Sequence, residues 1–136
     1  MNDTSRAIVA LVHAFNAAVG RTAAAYTYDA GPNAVIYALE SDMRDLVELF
    51  AYCFPRAEDC APDAFYPDPF GLFESLASVG QHVSAPKVAE LAHTAGQSPA
   101  GSVRRIIHTT VGDGPRLLPA SQSLLDAAGL PRAARD

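Results

Sequence analysis

Apolar residues recur at spacings of three and four over residues 5–19, where Ile8, Leu11, Val12, Phe15 and Val19 share one face if the chain is helical. Asp3 and Thr4 precede this run as candidate N-caps, and Gly20 follows it as a stop. The period then changes. Residues 23–28 and 34–39 are rich in β-branched and aromatic side chains, and Asp29, Ala30, Gly31, Pro32 and Asn33 between them are turn formers, which predicts two strands joined by a tight loop. Over residues 42–54 the set Met43, Leu46, Val47, Leu49, Phe50 and Phe54 restores the helical period, with Ser41 or Asp42 as the cap and Pro55 as the terminator.

Beyond residue 55 the pattern weakens. Prolines at positions 55, 62, 67 and 69, interleaved with acidic residues, break any period and predict a surface insertion. Residues 72–79 and 86–95 each suit a short helix, the second with Val88, Leu91 and Ala92 inward. Residues 103–110 read as a strand ahead of the loop Gly112, Asp113, Gly114, Pro115, and residues 117–136 carry little pattern. The order helix, strand, strand, helix, helices, strand predicts an α+β fold, an antiparallel sheet layered with helices.

Composition narrows the class. A chain of 136 residues and 14.3 kDa with 49% hydrophobic content supports one core. Scaled by mass, its folded form would expose about 6,800 Å². Ten basic against fifteen acidic residues leave a formal charge of −5, which disfavours nucleic acid, because neutralising phosphates needs a basic face. No apolar run approaches the ~20 residues of a membrane helix, and the polar start lacks a signal-peptide core, so the expectation is a soluble protein with no membrane role and no secretion. Cys53 and Cys60 fit neither a disulfide framework nor a metal or redox motif, and are expected to be reduced and structural.

Candidate chemistry is sparse. Asp29 ends an apolar strand just before a Gly-Pro turn, where it is either a solvent-facing turn residue or a carboxylate held near a phosphate-bearing ligand. The loop 112–115 lacks the Lys and Ser/Thr of a phosphate-binding P-loop. His13, His82, His93 and His108 show no metal-ligand spacing, so no metal site is expected from them. Ser5, Ser75 and Ser78 lack a nucleophile elbow, and Glu58 and Asp59 read as solvated charges.

One longer motif stands apart. The run Ala25-Tyr26-Thr27-Tyr28-Asp29-Ala30-Gly31-Pro32-Asn33-Ala34-Val35 resembles the AYTFDAGPNA segment of the diphosphomevalonate decarboxylases, members of the GHMP kinase superfamily. Three further stretches agree in order: residues 1–5 with the helix through His13, Phe15 and Asn16; residues 106–115 with their Val-Gly-x-Gly-Pro ending; and Gly129-Leu130-Pro131. The likeness omits a variable stretch of about residues 56–101.

The resemblance implies the C-terminal (ferredoxin-like) domain of a GHMP-type enzyme over residues 1–136, with 56–101 as a variable insertion. Such enzymes use ATP to phosphorylate the 3-hydroxyl of 5-diphosphomevalonate, then release phosphate and carbon dioxide to give isopentenyl diphosphate for isoprenoid and sterol synthesis. Asp29 matches the family's catalytic aspartate, while the substrate-binding residues stay unassigned, with the loop of Ala30 and Gly31 as the candidate. Tyr28 stands where the family usually has Phe, a change expected to perturb little. ATP and Mg2+ are implied cofactors, a homodimer the implied assembly and the cytosol the implied compartment. The ATP-binding loop and the basic residues that grip the diphosphate lie, in the family, in an N-terminal domain without counterpart in this sequence. The expectations are therefore that an internal methionine was taken as the start and that residues 1–136 alone are inactive. The alternative is a stand-alone, non-catalytic remnant acting as a binding or dimerisation module.

Overall fold

A computed structural model describes residues 1–29 and 31–132. Helix α1 (Asp3–Val19) starts earlier than its apolar period suggests, because Asn2 rather than Asp3 or Thr4 caps it. Asn2 Oδ1 accepts the Ser5 amide at 2.8 Å and the Ser5 hydroxyl at 2.9 Å, which also satisfies that buried hydroxyl. Asp3 supplies negative charge to the first turn, where the helix dipole favours it. Gly20 ends the helix with φ at 75°, its amide bonded to the carbonyls of Asn16 and Ala17. Ile8, Leu11, Val12 and Phe15 form the buried stripe, as the spacing predicts.

Strands β1 (Ala24–Tyr28) and β2 (Ala34–Ala38) pair antiparallel, with Ala24 opposite Ala38 and Tyr28 opposite Ala34. Period-two alternation gives the hairpin two unlike faces. Ala24, Ala34, Ile36 and Ala38 meet the helical core, while Val35 and Tyr37 are exposed on the other side. Among the described residues the sheet has these two strands and no third.

Helix α2 (Glu40–Cys53) follows β2 without a spacer, so Leu39 occupies the cap position with no side-chain cap bond. Ser41 and Asp42, the expected caps, lie inside the helix; the Asp42 carboxylate instead takes a hydrogen bond from Arg21. Its buried stripe packs on α1 and on helix α4 (Pro86–Ala95), which buries Val88 and Ala92 and half-buries Leu91. Glu48, buried in α2, accepts the Ser84 amide at 2.6 Å, the Ser84 hydroxyl at 3.0 Å and the Arg44 guanidinium at 3.2 Å, tying the approach to α4 onto α2.

Three expectations fail here. The proline-rich stretch is not merely surface: helix α3 (Pro62–Phe65) starts on Pro62, and Phe65 and Tyr66 are buried against Val47 and Ala51 of α2. Residues 72–79 form only the 3-10 turn Leu76–Ser78, and directly after it the chain passes close to α2 at Gly80. A Cβ there would stand 2.6 Å from the Ala51 carbonyl oxygen, and φ is +82°. Residues 103–110 form no strand. Their Ile106 amide is taken by the Phe65 carbonyl at 2.8 Å, and Val103 and Ile106 pack on the helices rather than beside a neighbouring strand. The α+β class holds, with helices on one side of a two-stranded antiparallel sheet.

Candidate active site

Asp29 follows β1 directly and is exposed at the mouth of the hairpin turn. Its strand is held at both ends by side chains. Asn16, near the end of α1, accepts the amides of Ala23 and Ala24 at 2.8 Å each and donates to the Ala24 carbonyl at 2.8 Å. At the other end the Tyr28 hydroxyl donates to the Ser5 carbonyl at 3.1 Å. Burial pushes the Tyr28 phenol up from its usual range, so it remains a donor. The helical rise from Ser5 to Asn16 is ~16 Å and the strand length from Ala24 to Tyr28 is ~13 Å, so two anchors of matched span fix β1 antiparallel to α1. Asp29 therefore emerges at the N-terminal end of α1, an end whose dipole favours anions.

The surroundings of Asp29 are open. Gly31 has φ at 103° with nothing near the place a Cβ would occupy, so backbone conformation and not crowding calls for glycine there. Ala30, its partner in the expected substrate loop, lies outside the described residues. Two clefts, of about 110 Å³ and 410 Å³, lie elsewhere: the first is lined by Tyr52, His82 and His93, the second by Lys87, Glu90 and Leu91. Neither includes Asp29.

The other candidates separate from Asp29. Asp113 in the 112–115 loop pairs with Arg116, and that loop is exposed throughout. His13 sets its ring edge-on to Tyr26 at 5.6 Å, and His93 Nδ1 lies 3.3 Å from the Tyr52 hydroxyl. His108 Nδ1 lies 3.0 Å from the Tyr66 hydroxyl. Among the described residues no group of three His, Cys, Asp or Glu side chains is placed to hold a metal ion. Cys53 and Cys60 are both free; burial raises the Cys53 thiol to about 11, which keeps it protonated and unreactive. Ser5 is spent on the Asn2 cap, and Ser78 donates to the Ser75 carbonyl at 2.7 Å.

Asp29 is thus an exposed carboxylate at the end of a strand held by Asn16 and Tyr28. Residues 1–118 match the model of the mevalonate 5-diphosphate decarboxylase C-terminal domain. The chain belongs to that family. It is 44% identical over 138 residues to the diphosphomevalonate decarboxylase of Ganoderma lucidum, covering 97% of this chain and 32% of that enzyme. It is 40% identical over 133 residues to the diphosphomevalonate decarboxylase of Rattus norvegicus (97% of this chain, 30% of that enzyme) and 36% over 132 residues to that of Schizosaccharomyces pombe (97% and 28%). The chain thus spans less than a third of the length of the curated relatives it matches.

Within the decarboxylase family's domain, the residues that position the aspartate were only partly legible. Asn16 was visible as part of the resemblance, but its grip on β1 joins residues eight apart across a helix end, which no local pattern reports. The Tyr28 hydroxyl, read as incidental, is one of the two anchors. Arg21 and Asp42 join the turn after α1 to the start of α2, a pairing across 21 positions that spacing does not reveal.

Proposed function

We propose that this chain is the aspartate-bearing C-terminal portion of an ATP-dependent decarboxylase that converts 5-diphosphomevalonate to isopentenyl diphosphate, carbon dioxide, ADP and phosphate. The observation that carries the reading is the match of residues 1–118 to the family's C-terminal domain, beside relatives named for this activity, with Asp29 exposed at the end of a strand that Asn16 holds. Residues 1–136 form the domain, with 56–101 as its variable part, and the working enzyme is a cytosolic homodimer.

Asp29 is the catalytic residue. An exposed carboxylate accepts a hydrogen bond from the tertiary hydroxyl of the substrate and orients it toward the phosphoryl donor. An alcohol is a far weaker acid than a carboxylic acid, so a carboxylate does not ionise it beforehand and proton transfer accompanies bond formation late. In the second step a fixed negative charge favours the positive charge that develops at carbon 3 as phosphate leaves. Gly31 lets the loop backbone come close to the ligand.

ATP and Mg2+ belong to the reaction, and the described side chains form no evident site for either. The 112–115 loop carries no Lys, and its nearest cation, Arg116, is paired with Asp113. No cluster of three possible metal ligands occurs among the described residues. On this reading the phosphate-gripping groups come mainly from the part of the enzyme outside this domain, and residues 1–136 alone should show no ATP-dependent release of carbon dioxide.

The test is a chimera in which residues 1–118 replace the matching C-terminal domain of the Ganoderma lucidum enzyme. Carbon dioxide release from 5-diphosphomevalonate with ATP supports the reading. A folded chimera that binds both substrates and releases none overturns it. The exposed face of Val35 and Tyr37, continued by Leu39, favours a second reading, in which the isolated domain serves as a binding or dimerisation module. A stable complex of the isolated chain in sedimentation, joined to an inactive chimera, would select that one.

A further inference from the structure

Away from Asp29, a chain of polar contacts crosses from the proline-rich stretch to residues 103–110. Asp68 holds φ at +45°, and its carboxylate closes a turn by accepting the Leu72 amide on Oδ1 and the Phe73 amide on Oδ2, each at 2.9 Å. The Tyr66 hydroxyl lies 3.2 Å from the same Asp68 Oδ1 and 3.0 Å from His108 Nδ1. Tyr66 is 1% exposed. The His108 ring lies nearly parallel to that of Tyr66, at 17°, and 4.5 Å from the ring of Phe70.

Hydrogen-bond inventory decides the direction. A carboxylate only accepts, and a phenol has one proton to give. Were Tyr66 to donate to His108, its oxygen lone pairs would face Asp68 Oδ1 with no proton between the two oxygens, at a tyrosine that is itself buried. Burial and the Asp68 charge push the Tyr66 phenol up, so its proton stays on. Tyr66 therefore donates to Asp68, which leaves its oxygen as an acceptor toward His108.

We propose that Asp68, Tyr66 and His108 form a one-way relay that fixes His108 as the Nδ1–H tautomer and latches residues 103–110 onto the proline-rich stretch. Nδ1–H donates to the Tyr66 oxygen, and Nε2 is left as the ring's acceptor. Beside the latch, the Ile106 amide reaches the Phe65 carbonyl at 2.8 Å, so both contacts fasten the segment to consecutive residues, 65 and 66. The latch places the run that leads into Gly112–Pro115. In this reading the proline-rich stretch sets the position of that run instead of decorating the surface.

The tautomer is read directly from long-range proton–nitrogen correlations of the 15N-labelled chain at mildly alkaline pH, where imidazoles are neutral. The expected result is Nδ1 protonated in the wild type and a shift to Nε2–H in Tyr66→Phe, which keeps the ring and removes the acceptor. Amide exchange at Ile106 should rise by about tenfold in Tyr66→Phe and in His108→Leu, the change expected for losing one supporting hydrogen bond. His108→Asn, whose side-chain amide donates from nearly the Nδ1 position, should hold exchange within about threefold of wild type on the same hydrogen-bond scale. Nε2–H in the wild type overturns the relay. Ile106 exchange unchanged in both Tyr66→Phe and His108→Leu overturns the latch. Should Tyr66→Phe lose amide dispersion, the His108→Leu and His108→Asn pair still decides the latch, and the wild-type spectrum still decides the tautomer.

Discussion

Residues 1–28 and residues 107–132 are of similar length and both carry many apolar side chains, yet they behave oppositely. In the first, Leu11, Val12 and Phe15 are at most 4% exposed, and Asn16 and Tyr28 stitch helix to strand. In the second, Val111, Leu117 and Leu124 are more than 80% exposed, and hydrogen bonds are mostly local, as where Asp126 accepts the Ala128 and Leu130 amides. The chain exposes 9375 Å², well above the ~6,800 Å² expected of a single core of this mass. Hydrophobicity alone does not place a segment inside; the first region has a partner surface and bonds that set its register, whereas past His108, which Tyr66 holds, the second leaves its large apolar side chains exposed. The Asp29 site is built on the first.

The comparison breaks most sharply at Phe15, which is fully buried at the centre of the helical core. Phe15→Ala should cost about 3–5 kcal/mol of unfolding free energy, measured by urea denaturation. Asn16→Ala removes the side chain that makes three bonds to Ala23 and Ala24, and should cost about 2–3 kcal/mol and raise amide exchange along β1. A cost below about 0.5 kcal/mol would mean that the strand is held by packing and not by this anchor. At the other extreme, Leu117→Ser with Leu124→Ser should leave stability within about 0.5 kcal/mol, because neither side chain is buried in the domain. A larger loss in that double variant would show that residues 107–132 pack on the core in solution, and the contrast would collapse.

What the sequence made legible follows the same division. Short-range periodicity gave α1, the two strands, α2 and α4 to within a few residues, since each is set by its own apolar stripe. It failed where distant parts decide the outcome. The cap of α1 passed to Asn2 because a carbonyl oxygen at that position reaches both groups of Ser5. Residues 103–110 have the composition of a strand, but Ile106 finds its backbone partner at Phe65 and its packing among helices. Proline spacing suggested a surface stretch, while Phe65 and Tyr66 filled a hollow against α2 that no local pattern announces. The Asp29 motif was legible because it is long and specific. The anchors that aim Asp29 were not, because each joins residues far apart in the chain.

Under the proposed function, Asp29 is a reacting carboxylate at the end of an anchored strand and not a turn residue. Asp29→Asn in the chimera with the Ganoderma lucidum enzyme keeps shape and removes charge, and carbon dioxide release under single-turnover conditions reads the consequence. The account predicts a fall of roughly 10²–10⁴-fold in that rate, with thermal stability unchanged, as for removal of a positioned acid–base group. Release at the unsubstituted chimera's rate would contradict it and return Asp29 to the role of a solvent-facing turn residue.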